Sequence, residues 1–505
     1  MALLSGKRAS LLREPLEQAI GRGDRFPRQA LFQRAERAGW TRLELAKLVA
    51  YVEFFSGEGA AAYQRVLDGR LVAGDLDLFV TACTHCYRYD RFQEGYALLK
   101  VFEASCAGFP DDPRFYSLAG YIALAGNGSV SEAVVYFDRA LDRNLISPML
   151  LVNAYTAYVE AGRHERVAQI KQLIHDRYDD DAEAQYALAF DELSRDYYPE
   201  GFRLAEARYR MPELSCSMNE TLLSKPRWQG EPLGGKRLLA HGEQGLGDVV
   251  MMARYLPHLL ELGAEVVVDC RPEVLALLRH NFPRCDFVES ALGVPVKASF
   301  ELWVGMMSLP FHFDTTADSV PAVAGYLVPP PDSVAYWRKR IAELAASDSP
   351  RIGIAWSGSP GHRWDKRRSI PFDVIAPYIR ACPQARFFTL QTGVPANLPS
   401  NLIDISSEIV TLADTAAAVA EMDLVISVDT SVVHVAGALG KLTWVLLPHR
   451  YEWRWGLTGE TCNWYDSVRV LRQTTIGDWG GLLSEILGPR LRQHLGDRVR
   501  LQTSA

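Results

Sequence analysis

The chain has 505 residues, 48% of them hydrophobic and 23% charged, with a net charge of -7. That length exceeds one ordinary core, and the mix is that of a globular protein with two or three domains. An acidic balance with no long run of one sign argues against nucleic-acid binding, which needs a basic face, and no apolar run is long enough to span a bilayer.

The opening "MALLSGKRASLLREPLEQAIGRGDR" alternates charged and apolar residues. It lacks the apolar centre of a secretory leader, so a cytoplasmic location is expected. Eight cysteines in so long a chain do not make a disulfide framework. Cys83 and Cys86 form a C-x-x-C with no second pair or histidine pair at zinc spacing. They are expected to pack inside a helix rather than hold a metal.

Residues 1–210 read as helical repeats. "GEGAAAYQRVL", "RFQEGYALLKVF", "VSEAVVYFDRAL", "HERVAQIKQLI" and "YPEGFRLAEARY" align Ala61, Gly95, Ala133, Val167 and Gly201. The separations are 34, 38, 34 and 34 residues. The longer one contains "GNGS" (Gly126 to Ser129), read as an inserted loop. Another helical stretch precedes each segment, with small residues where two helices must approach closely. No such unit can bury its apolar face alone, so stacking into a solenoid is expected. The solenoid would either bind a peptide or partner protein, or prop up the next domain and mediate oligomerisation.

Residues 211–235 are rich in Pro, Gly and polar types and read as a linker or docking strap. Beyond them strands alternate with helices, which implies parallel, doubly wound sheets. The first set spans 236–328, with strands "RLLAHG", "EVVVDC", "CDFVES" and "FELWVGMM". The second spans 348–490, with "RIGIAWSG", "RFFTLQTG", "LIDISS", "LVISVD" and "TWVLLP". "YLVPPPDS" separates them. Two such lobes leave a cleft, and ligands bind at the carboxyl ends of the strands.

Four loops end strands there. "GEQGLGD" carries Glu243, Gly245, Gly247 and Asp248. It is neither a dinucleotide fingerprint nor a Walker loop. Its glycines let backbone pass close to a ligand, and Asp248 is either a dipole-favourable carboxylate at a helix start or a general base. His241 and Glu243 are weaker candidates for the base. "AWSGSPGHRWDKRRSI" brings Arg363, Lys366, Arg367 and Arg368, which suit a diphosphate. "LQTG" brings Gln391 and Thr392. "DTSVVHVAG" sets Asp429, Thr430, Ser431 and Val432 at a helix N-terminus, with His434 on the same face as Thr430. The plain alternative is capping of a buried helix with His434 packed in the core. In "YEWRWG", Trp453 and Trp455 would stack on a base or sugar, or form an aromatic lid.

Together the three longer motifs resemble the glycosyltransferase family 9, or heptosyltransferase-like, domain, and the 34-residue units resemble tetratricopeptide repeats. The resemblance covers Pro226 to Leu487. It implies an α-solenoid followed by a GT-B domain of two Rossmann-like lobes. It also implies inverting, metal-independent sugar transfer from a nucleotide-diphosphate donor to an acceptor hydroxyl. No cofactor is implied, since the nucleotide sugar is a substrate. Asp248 matches the proposed base. Lys366 looks like the lysine on the donor phosphates, with Arg363 or Arg367 as alternatives. Asp429, Thr430, Ser431 and His434 match the helix start that holds the diphosphate sugar. The family usually has glycine where Ser431 stands. The acceptor half, Lys236 to Val328, is short. A protein held by the repeats is the expected acceptor. A saccharide or lipid-linked acceptor, with the repeats used for assembly, is the second reading, and a non-catalytic binding scaffold the third.

Overall fold

The computed structural model describes residues 43, 46, 47, 50, 59–88, 91–106, 108–127, 129–211, 220–290, 294–345, 349–359, 365–449, 452–475 and 477–503. The N-terminal stretch read above for a leader lies outside them. Among the described residues no helix is long and apolar enough to cross a membrane. The chain divides into two compact units, 1–184 and 185–505.

The described part of the first unit is helical: α1 (Gly59–Asp68), α2 (Leu76–Arg88), α3 (Phe92–Ser105), α4 (Pro113–Asn127), α5 (Val130–Asp142), α6 (Pro148–Glu160) and α7 (His164–Tyr178). Helices α2 to α7 each pack on the next, and α4 also touches α6. Gly95, Ala133 and Val167 are buried on α3, α5 and α7, so the spacing in the sequence is that of a helix pair. This is compatible with helix-turn-helix repeats. Ala61 falls on α1, and its surroundings lie outside the described residues.

Local sequence sets these boundaries. Ser129 caps α5 by accepting from the Glu132 amide. Ser147 caps α6, whose Pro148 suits the first turn. Gly126 and Asn127 of the expected loop belong to α4 instead. Small residues mark close approaches: a methyl at Gly120 would run into the Phe137 ring. Cys83 and Cys86 are fully buried on α2, the packing role expected of them. A methyl at Gly95 would come within 3.2 Å of both Cys86 and Ile122.

The division between units falls inside α8 (Ala182–Ser194). In the second unit α9 (Tyr198–Ala205) follows. A methyl at Gly201 would meet the Leu193 side chain at 2.6 Å, so α8 and α9 are closely packed. Part of the expected strap docks on a sheet edge. The Trp228 amide donates to the Trp303 carbonyl (2.8 Å), and the Trp303 amide donates to the Pro226 carbonyl (3.2 Å). Trp228 is buried beneath.

Two all-parallel sheets make up the rest. The first holds β1 (Arg237–His241), β2 (Glu265–Cys270), β3 (Asp286–Glu289) and β4 (Leu302–Gly305), in the order β3-β2-β1-β4. The second holds β5 (Arg351–Ala355), β6 (Arg386–Thr389), β7 (Leu402–Ile403), β8 (Leu424–Val428), β9 (Thr443–Leu447) and β10 (Val468–Arg472), in the order β10-β9-β8-β5-β6-β7. β8 and β9 are buried along their whole length, as strands covered on both faces must be, which explains their unbroken apolar runs. β10 was missed in the sequence because "VRVLR" interleaves arginines at a sheet edge.

Each sheet has one switch point, β1/β4 in the first and β5/β8 in the second. The helix after β1, α10 (Leu246–Met252), packs on the helix after β8, α15 (Ser431–Ala438). Residues of α10, α15 and both sheets share one apolar core. The proline segment is pinned to the second lobe, where the Tyr326 and Leu327 amides both donate to the Ala438 carbonyl.

Candidate functional site

A cleft of about 670 Å³ opens at the carboxyl ends of both sheets. Its wall takes His241 to Asp248 from beyond β1 (Glu243 excepted), Arg271 from β2, Ser290 from β3 and Met307 from β4. Ser359 and Arg368 come from beyond β5, and Asp429, Thr430, Ser431 and His434 from beyond β8. Glu452, Trp453 and Arg454 complete it from beyond β9.

The glycines after β1 answer to close packing. A methyl on Gly242 would stand 2.9 Å from the Asp269 carbonyl. One on Gly247 would stand 2.5 Å from the His434 ring, so Gly247 is what lets the two lobes meet. Gly245 caps α10, and its amide donates to Asp248 Oδ2 at 2.9 Å. Asp248 thus stands at the helix start, a place compatible with either of the two roles the sequence allows it. Its other oxygen is paired with the buried Arg454 guanidinium of the second lobe.

Glu243 is committed elsewhere. Arg208 donates to both its oxygens, at 2.9 and 2.8 Å, and the Met307 amide donates at 3.1 Å. Burial would raise this carboxyl, but the Arg208 charge holds it below the ordinary value. A carboxylate so tied anchors the loop rather than accepting a substrate proton.

His241 is different. Its Nδ1 lies 3.0 and 2.9 Å from the two Asp269 oxygens, and both residues are buried. A carboxylate only accepts, so Nδ1 carries the hydrogen and Nε2 is left as the basic nitrogen. That Nε2 makes no hydrogen bond. Leaving a buried polar atom unsatisfied costs about 1–3 kcal/mol, so it needs an explanation. Burial alone would lower the imidazole pKa, but Asp269, and then Glu243, raise it above the ordinary histidine value. Asp269 escaped the sequence reading. The signal was present, as a single acid inside the apolar run of "EVVVDC".

Across the cleft, Thr430 caps α15 and accepts from the Val432 amide at 3.3 Å. Val432 itself packs in the core. Arg368 donates to the Asp429 carbonyl at 2.9 Å. Burial lifts the Asp429 carboxyl to about 6, Glu452 adds to the rise, and Arg454 and Arg368 oppose it. His434 is buried, with Nδ1 3.0 Å from the Tyr465 hydroxyl. Burial, then the charges of Arg454 and Arg254, hold it well below the ordinary histidine value, so it stays neutral. Trp455 is fully buried, with ring centroids 5.6 Å from His434, and Trp453 packs on Phe202 and Trp464 while lining the cleft. Both tryptophans are buried in aromatic packing, and of the two Trp453 lines the cleft.

Of the basic loop, Arg368 reaches the cleft, and Arg367 does not line it. Arg363 and the Lys366 side chain lie outside the described residues. Gln391 and Thr392 do not line the cleft either. Gln391 Oε1 accepts from the Trp356 and Ser357 amides at 2.6 and 2.9 Å, tying the loop after β5 to the end of β6. Arg454 Nε is buried without a partner. Among the described residues Arg271 lines the cleft with no ion pair of its own.

One wall was not foreseen. Tyr186, Ala189, Phe190 and Leu193 line the cleft from one face of α8, at the spacing of a single helical stripe, and Phe202 joins them from α9. The short first lobe is thereby supplemented by helices that precede it.

No family model matches the chain. It is 26% identical over 412 residues to Protein FlbA of Caulobacter vibrioides, covering 75% of this chain and 67% of that protein. Among solved structures, it is similar to a family 9 glycosyl transferase from Veillonella parvula: 13% identity, 52% of this chain, 97% of that chain, TM-score 0.39. It is also similar to the E. coli ADP-heptose LPS heptosyltransferase II, at 14% identity, 53% of this chain, 100% of that chain and TM-score 0.35.

Proposed function

We propose that the cleft transfers a sugar from a nucleotide-diphosphate donor to an acceptor hydroxyl, with inversion and without a metal. One observation carries this reading. Arg368, Arg454 and the positive end of α15 meet the β1–α10 loop in a single cleft, at the switch points of two parallel sheets. Ligands of α/β sheets bind at such points, and a helix start suits a phosphate. Two doubly wound lobes around a cleft is the GT-B arrangement that the sequence resemblance implies.

In this reading Arg368 and Arg454 neutralise the leaving diphosphate. Arg363, Lys366 and Arg367 extend that cationic loop. Asp429, Thr430, Ser431 and His434 frame the phosphates, and Gln391 holds the loop after β5 in place. Two groups beyond β1 face the acceptor side, Asp248 and His241. A protein is the proposed acceptor, since stacked helix pairs offer surfaces suited to peptides.

The test incubates the intact chain with UDP-, ADP-, GDP- and dTDP-sugars and with protein, peptide and oligosaccharide acceptors. Mass spectrometry should show nucleoside diphosphate released and a sugar mass added to a protein. Transfer to oligosaccharides alone would move the acceptor class to the second reading. No transfer from any donor would end the enzymatic one.

A further inference from the structure

We infer that the stripe on α8 is part of the acceptor's side of the cleft, and that it takes an apolar side chain next to the modified hydroxyl of a peptide. This rests on the sugar-transfer reading above. Tyr186, Ala189, Phe190 and Leu193 recur every three or four residues, so one face of α8 looks into the cleft. Leu193 and Phe202 are buried, whereas Tyr186 and Phe190 are half-buried and keep ring surface for a ligand. Those two rings meet edge to face, with centroids 5.1 Å apart.

Neighbours fix where the stripe stands. α9 packs on the short helix that follows β4, Leu309–His312. Arg208, just beyond α9, binds Glu243 from the β1 loop and Ser308 from the end of β4. The stripe therefore belongs to the first sheet's side of the cleft. Arg368 and the start of α15, which face the donor in this reading, belong to the second. Burial pushes the Tyr186 phenol up to about 12, with Arg208, Glu452, Glu243 and Arg454 close enough to act on it, so the ring stays neutral.

What the wall lacks decides the ligand's chemistry. Arg208 already donates to Glu243, Glu206, Ser308, the Tyr209 hydroxyl and the Ala205 carbonyl. Both Glu243 oxygens are taken in that exchange. A hydroxyl-rich sugar laid against the stripe would bury polar groups with few partners, each at a cost in free energy. An apolar side chain surrenders no hydrogen bond and covers ring surface.

The experiment supplies the intact chain with UDP-, ADP-, GDP- and dTDP-sugars and with synthetic peptides that carry one serine or threonine. One peptide set flanks it with glycine and alanine alone, and the other adds a leucine or phenylalanine beside it. The second set should be preferred about tenfold or more in kcat/KM, the discrimination an apolar pocket reaches. In Tyr186→Ala and Phe190→Ala that preference should fall to about threefold or less, with donor affinity by calorimetry unchanged. Phe190→Leu, which keeps apolar bulk, should restore most of it. A wall that merely supports the fold would lower the rates on both sets alike. Equal wild-type rates on the two sets, transfer to oligosaccharides or proteins but to no peptide, or a preference that survives in both alanine variants overturns the inference and leaves sugar transfer standing. A wild-type chain that transfers from no donor overturns the sugar-transfer reading itself.

Discussion

At the strand ends of the first sheet stand His241 with Asp269, and beyond them Asp248 and the guanidinium of Arg271. Beyond those of the second stand Arg368 and Arg454, the carboxyls of Asp429 and Glu452, and the start of α15. The two sheets share a parallel topology and each has a switch point, so their frames are alike. Both edges mix cations with carboxyls, and they differ in what their imidazoles meet: Asp269 holds His241, whereas burial and the charges of Arg454 and Arg254 keep His434 neutral. One edge suits a nucleophile that must lose a proton, and the other a leaving group that gains charge. Fold alone does not make that division; a handful of side chains at equivalent strand ends does.

The largest effect is expected where the two edges touch. The Asp248–Arg454 pair is mostly buried, with side-chain exposures of 18% and 9%. Removing Arg454 leaves a mostly buried carboxylate without its cation, so Arg454→Met should cost roughly 3 kcal/mol in denaturant unfolding, and Asp248→Asn less, since Arg454 keeps Glu452 at 3.3 Å. The double variant should cost clearly less than the sum, and strict additivity would mean that the two lobes are not coupled through this pair. Next comes the seam at Gly247. Gly247→Ala drives a methyl toward the His434 ring, with an expected loss of about 1–3 kcal/mol in thermal unfolding. An unchanged melting temperature would show that α10 and α15 do not pack so closely.

A smaller effect belongs to the second edge alone. Thr430→Ala removes the cap of α15 and should cost about 1 kcal/mol, while Thr430→Ser restores it. Equal stability of all three forms would remove Thr430 from the account. The smallest is a pH effect. Asp429 titrates near 6, above an ordinary carboxyl, because burial favours its neutral form. Its contribution to stability is therefore full at low pH and lost as pH rises through about 6. Its charge then also faces the donor phosphates. Binding of a nucleotide sugar should weaken several-fold between pH 5 and 7, and Asp429→Asn should flatten that dependence. A variant with the same slope as the wild type would point to another titrating group.

Much of this was legible in the sequence, and for physical reasons. β1, β2, β8 and β9 announce themselves because buried parallel strands are apolar on both faces. The 38- and 34-residue spacings of Gly95, Ala133 and Val167 mark every second helix because those positions face a neighbour. Asp429 and Thr430 are legible because a helix start after a strand needs a cap. What was hidden depends on pairing at a distance. No local pattern ties Asp269 to His241, or Arg454 to Asp248 some two hundred positions earlier. Arg368 could not be singled out from Arg367 beside it, because geometry decides which of the two reaches the cleft. The stripe Tyr186, Phe190 and Leu193 reads as ordinary helix packing until the cleft beside it is seen.

The most direct measurement is calorimetric titration of the intact chain with the four nucleotide sugars, repeated with Arg368→Ala. The account predicts saturable binding of at least one donor, weakened tenfold or more in the variant, a loss of about 1.4 kcal/mol or greater. Absence of binding to any donor, or equal affinity with and without Arg368, would contradict the claim that these strand ends hold a sugar diphosphate.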